Sequence, residues 1–81
     1  MDTKIYYIVP DSTFRPIANA FRIYKVDGCV PVWKNKDNAF KYLNEKINCD
    51  YFGIVHSTEN LLRSKYKNFD PQHELDIKFM D

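Results

Sequence analysis

The stretch Phe21 to Trp33, FRIYKVDGCVPVW, constrains the fold more than any other part of this chain. Two runs of alternating apolar residues flank Asp27-Gly28, and an Asp-Gly link between such runs is the strongest short-range signal for a β-hairpin. Closure over these two residues sets Val26 opposite Cys29, Tyr24 opposite Pro31 and Ile23 opposite Val32. Tyr24 and Pro31 then form a hydrogen-bonded pair, yet proline has no N–H to give. A four-residue loop from Val26 to Cys29 makes the same two residues a non-hydrogen-bonded pair. The longer loop is therefore expected, with the Pro31 strand at a sheet edge. Either closure gathers Phe21, Ile23, Val30 and Val32 on one face, the natural core face. Arg22, Tyr24, Pro31 and Trp33 fall on the other.

The rest of the chain supplies elements to pack around this hairpin. Lys4 to Val9, KIYYIV, is rich in β-branched and aromatic residues and predicts a strand. Ile5, Tyr7 and Val9 share one face, Tyr6 and Ile8 the other. Both faces are apolar, so the strand belongs in the middle of the fold, covered on both sides. Pro10-Asp11-Ser12 ends it with turn residues. Residues 13–20 read as one helical turn or an irregular crossing, with Arg15 and Asn19 among their side chains.

Asp37 to Ile47 has helical spacing, with Ala39, Phe40, Leu43 and Ile47 as its apolar stripe and Asn35 or Asp37 as its cap. Asp50 to His56 predicts a buried strand. Ser57 or Thr58 caps a second helix, running to about Asn68 with Leu62, Tyr66 and Phe69 inward. Asp70-Pro71 breaks it. Glu74 to Phe79 alternates as a half-buried strand does, Leu75, Ile77 and Phe79 against Glu74, Asp76 and Lys78. The expected order is β-β-β-α-β-α-β: one α+β domain over residues 1–81, a sheet of four or five strands with two helices mainly on one face.

Size and charge narrow the function. A chain of 81 residues buries only roughly 60–65% of its unfolded surface, so its core is small. Chains this small gain stability from a disulfide, a metal or a partner subunit. The net charge of +1 gives no global case for nucleic acid or a membrane. Locally, Arg63, Lys65 and Lys67 outweigh Glu59, whereas Asp70, Glu74, Asp76 and Asp81 outweigh Lys78. Met1-Asp2-Thr3-Lys4 leads directly into a strand-like run without the pattern of a secretory leader, and no apolar run approaches a membrane span. A cytoplasmic location is expected, with Cys29 and Cys49 as free thiols; a bridge between them is the alternative. Phe, Tyr, Met, Ile, Asn and Lys dominate over Gly, Ala, Arg and Pro, a bias towards AT-rich codons that suggests a viral, phage or plasmid origin.

Catalytic chemistry finds little purchase. His56, His73, Cys29 and Cys49 are not at metal-ligand spacing, and with only Gly28 and Gly53 there is no glycine-rich phosphate loop. Neither enzymatic activity nor a metal or small-molecule cofactor is expected. His56 and Ser57, at a strand end before a helix start, are candidates with Arg63 and Lys65 for an anion or RNA-backbone contact. The face carrying Arg22, Tyr24 and Trp33, continued by Lys34 and Lys36, has the aromatic and basic composition of an interface hot spot. The expected function is a protein-binding module of inhibitor, antitoxin or immunity type, homodimeric through an edge strand. The alternative is an RNA-binding accessory protein using the same aromatic-basic face.

Overall fold

The computed structural model of the chain describes residues 3–10, 23–47 and 52–81. Strand β1 spans Lys4–Pro10 and β2 spans Val30–Val32. Helix α1, Lys36–Tyr42, continues as a π-helical turn over Leu43–Ile47. Strand β3 spans Phe52–Thr58, helix α2 Glu59–Phe69 and strand β4 Ile77–Phe79. The domain is α+β, with four strands among the described residues, one fewer than expected. Residues 23–25 form no strand, and Phe21 and Arg22 lie outside the described residues.

The strands form two ladders rather than one sheet of four or five. β1 pairs antiparallel with β3, from Lys4 opposite Thr58 to Pro10 opposite Phe52. β2 pairs parallel with β4, Val30 to Val32 against Ile77 to Phe79. Tyr6 and Trp33 join the ladders: the Tyr6 N–H donates to the Trp33 carbonyl at 2.8 Å and the Trp33 N–H to the Tyr6 carbonyl at 2.9 Å.

β1 organises both sides of this frame. Its side chains alternate between faces, and each face enters a separate core. Ile5 and Tyr7 pack with Val30, Val32, Leu62 and Leu75, with Tyr66 of α2 alongside. Ile8 packs with Trp33 and Ala39, with Tyr6, Tyr42, Leu43 and Ile47 around them. The helices therefore cover opposite faces of β1, not mainly one. Two apolar faces need two covers.

The turn at Asp27-Gly28 is the tight one. Val26 and Cys29 exchange backbone hydrogen bonds at 2.8 and 2.9 Å, and φ is +53° at Asp27 and +81° at Gly28. Positive φ at both central residues is the type I′ hairpin turn. The expected conflict at Pro31 is resolved by parting the arms. The Tyr24 N–H donates to the Ile8 carbonyl at 2.9 Å, while the Val30 N–H donates to the Asp76 carbonyl at 2.8 Å. Pro31 is accordingly not on an edge. It is buried in β2, between the β4 ladder and the bridge to β1.

Two residues expected to face inward, Phe40 of α1 and Phe69 of α2, are exposed. Along α1 the inward residues are Ala39, Tyr42, Leu43 and Ile47, while Phe40 stands 41% exposed. Ala39, with no bulk to hold the helix away, lets α1 approach Trp33, and the Tyr42 ring takes the place expected for Phe40, 5.0 Å from the Trp33 ring. Asn35 caps this helix, its side-chain oxygen accepting from the Asp37 N–H at 2.8 Å. Thr58 caps α2 by accepting from the Leu61 N–H at 3.3 Å. β3 is half-buried rather than buried, having a strand partner on one side only among the described residues.

The turn geometry carries a test. A Cβ at Gly28 would meet no atom within 4 Å, so the cost of one is conformational alone. Gly28→Ala should destabilise the fold by about 1–2 kcal/mol, the left-handed penalty of an L-residue. Asp27→Gly should stay within about 0.5 kcal/mol of the parent chain. Urea unfolding followed by Trp33 fluorescence measures both, and a neutral Gly28→Ala would contradict the type I′ turn.

Candidate functional site

The residues expected to form a partner-binding face divide sharply. Trp33 is 3% exposed, and Tyr24 is half-buried, its ring 6.2 Å from Tyr42 and 5.9 Å from Phe52. The Tyr24 and Tyr42 hydroxyls lie 3.4 Å apart, a long contact that, together with burial, pushes the Tyr42 phenol above its ordinary pKa. Trp33 is core beneath α1, and Tyr24 packs against that core half-buried. Arg22 lies outside the described residues. Lys34 and Lys36 are exposed.

Those two lysines rest on rings that the sequence pattern assigned to the interior. Lys34 Nζ stands 5.3 Å from the centre of the Phe79 ring, and Lys36 Nζ stands 5.6 Å from that of Phe40. Both separations are within cation–π range, where an exposed pair contributes roughly 0.5–1 kcal/mol. Phe79 is 39% exposed and its neighbour Met80 40%. Lys4 over Tyr6 and Lys25 over Tyr66 have similar geometry, but those rings are half-buried. The pairs at 34–36 differ in leaving apolar area on the surface.

Asp81 fixes the backbone between them. Its carboxylate accepts from the Lys34 N–H at 2.9 Å, the Asn35 N–H at 3.0 Å and the Asn38 side-chain amide at 3.1 Å. The Met80 N–H donates to the Val32 carbonyl at 2.9 Å, which seats the tail beside β2. Desolvation pulls the Asp81 carboxyl upward, but the bonds from Lys34, Asn38 and Asn35 outweigh it and hold its pKa below 3.8. The turn is thus clamped at both ends, by the Asn35 cap and by the tail.

The other candidates do not come together. His56 is exposed on the α1 side of β3, its ring meeting Tyr6 edge-on at 6.2 Å, while Ser57 is directed to the opposite face. Arg63 is engaged within the fold, donating to the Leu75 carbonyl at 2.9 Å and to Glu59 at 3.2 Å. Lys65 is exposed on α2. The His56, Ser57, Arg63 and Lys65 set is therefore not a single anion site. Cys29 is a half-buried free thiol beside the turn, and Cys49 lies outside the described residues. Among the described residues no three His, Cys, Asp or Glu side chains gather as a metal ion needs, and no helix is long and apolar enough to cross a membrane.

Comparison with protein-family models, with curated proteins and with solved structures finds no match for this chain. The surface at 34–36 therefore stands on its own geometry. Phe40 was partly legible in the sequence, since Lys36 and Phe40 are four apart and share a helix face. Asp81 carried no signal, because its partners lie more than 40 residues away.

The clamp predicts a pH dependence. A carboxylate whose folded pKa is depressed stabilises the fold above its unfolded pKa, and loses that contribution as pH falls through the folded value. Asp81→Asn should cost about 0.5–1 kcal/mol at neutral pH, as loss of an exposed cap does. The difference from the parent chain should shrink as pH falls below about 4, where an ordinary Asp protonates. Urea midpoints of the two proteins across pH 2 to 7, roughly the carboxylate titration range, measure it; a constant difference would contradict the charge-assisted clamp.

Proposed function

We propose that this chain is a small non-enzymatic protein-binding module, of inhibitor, antitoxin or immunity type. It acts as a homodimer, and its contact surface is the 34–36 turn with its flanking rings. The observation that carries this reading is the pairing of Lys34 with exposed Phe79 and of Lys36 with exposed Phe40 around the Asp81 clamp. Phe40, Phe79 and Met80 supply apolar area of the kind that fills a partner's pocket. The lysines supply steering and favour a partner whose pocket is rimmed by acidic groups. The clamp holds the turn in one geometry before binding, which lowers the entropy lost on association.

The inhibitor role draws on the chain's small size, and the viral or plasmid origin and cytoplasmic setting on its composition. A second reading, an RNA-binding accessory protein, draws on the same residues, since a base can stack on a ring beside a cation. The two separate experimentally. The chain, immobilised in a lysate of its native host, should retain a protein that survives nuclease treatment and is lost with Lys36→Glu or Phe40→Ser. Retention that nuclease abolishes, together with steeply salt-dependent affinity for labelled RNA, would replace the protein reading with the RNA one.

A further inference from the structure

We propose that two copies of this chain pair antiparallel along the outer edge of β3, with the two-fold axis at Val55. The backbone of β1 determines which groups that edge presents. Tyr6 directs its N–H and carbonyl to Trp33, and Ile8 directs its carbonyl to the Tyr24 N–H, both away from β3. Their partners in the ladder, His56 and Ile54, therefore form non-hydrogen-bonded pairs with β1. Such residues turn their own N–H and C=O groups outward. Ile54 and His56 thus present backbone donors and acceptors on a side that has no strand partner among the described residues.

The occupant follows from the character of this edge. β3 is seven residues long, FGIVHST, with no Asp, Glu, Lys, Arg or Pro. Edge strands that must stay single are shortened or carry charges, prolines or bulges. The opposite edge is protected in that way: β4 has three residues, contains Lys78 and lies between Asp76 and Asp81. β3 is long and bare.

Self-pairing that uses all seven residues places Val55 opposite itself, Ile54 opposite His56 and Phe52 opposite Thr58. In this register outward-facing residues meet outward-facing residues, and no like charges oppose. Phe52, Ile54 and Val55 are only half-buried, so strand addition also covers apolar area on both faces.

This inference rests on the homodimeric part of the proposed function and is independent of the 34–36 surface. Sedimentation of the full chain should show a dimer. His56→Pro removes an outward N–H while leaving the ladder to β1 intact, and it should yield a monomer with unchanged Trp33 emission. If that variant loses the buried Trp33 signal, His56→Lys, which puts a charge on the edge, is judged by the same criterion. A dimer undiminished in the folded variant would overturn pairing at β3 and assign the dimer to another surface. A monomeric parent chain would overturn the homodimer as well, leaving the partner-binding surface to its own test.

Discussion

The structure depends on one strand being apolar on both faces. β1 places Ile5 and Tyr7 against α2 and the β2–β4 ladder, and Ile8 beneath α1. Ile5 and Ile8 are wholly buried, from opposite sides of the same strand. Fully burying an aliphatic side chain contributes roughly 1.5–3 kcal/mol, so a strand that does this on both faces serves as a shared wall. A chain of this length cannot build one large core. It builds two small ones back to back, and the Tyr6–Trp33 bridge carries the hydrogen bonding of one ladder across to the other.

How much of this was legible depends on whether the deciding interaction was local. β1 could be read because its composition is apolar at every position from Ile5 to Val9. The start of α2 at Ser57 or Thr58, settled at Thr58, and the body of the helix could be read because capping and helical periodicity act over a few residues. The parallel pairing of β2 with β4 could not, since it joins residues more than 40 apart and no periodicity encodes a partner. Pro31 was misplaced for a more instructive reason. Its missing donor argues against the tight two-residue closure and for a longer loop within a continuing hairpin, but the remedy lay elsewhere. The chain keeps the tight turn and separates the arms, giving Tyr24 to Ile8 and Val30 to Asp76.

The same separation reorganises the candidate surface. With Tyr24 and Trp33 drawn under α1, the Trp33 ring expected to meet a partner becomes interior and Tyr24 half-buried. Among the rings left outside are Phe40, displaced by Tyr42, and Phe79, in β4. The residues that hold the fold together and those of the proposed contact surface are thus distinct, and a contact at the 34–36 turn need not disturb the core. The outer side of β3, without a strand partner among the described residues, is a further consequence of β1 holding the centre.

The most direct test of this shared wall is native-state hydrogen exchange across low denaturant concentrations. If β1 unites the two cores, the amides of Tyr6 and Trp33 exchange only through global unfolding, with the denaturant dependence of the whole chain. An opening of either amide with a smaller dependence, while the α2 core stays protected, would mean that the two cores unfold separately and that β1 does not unite them.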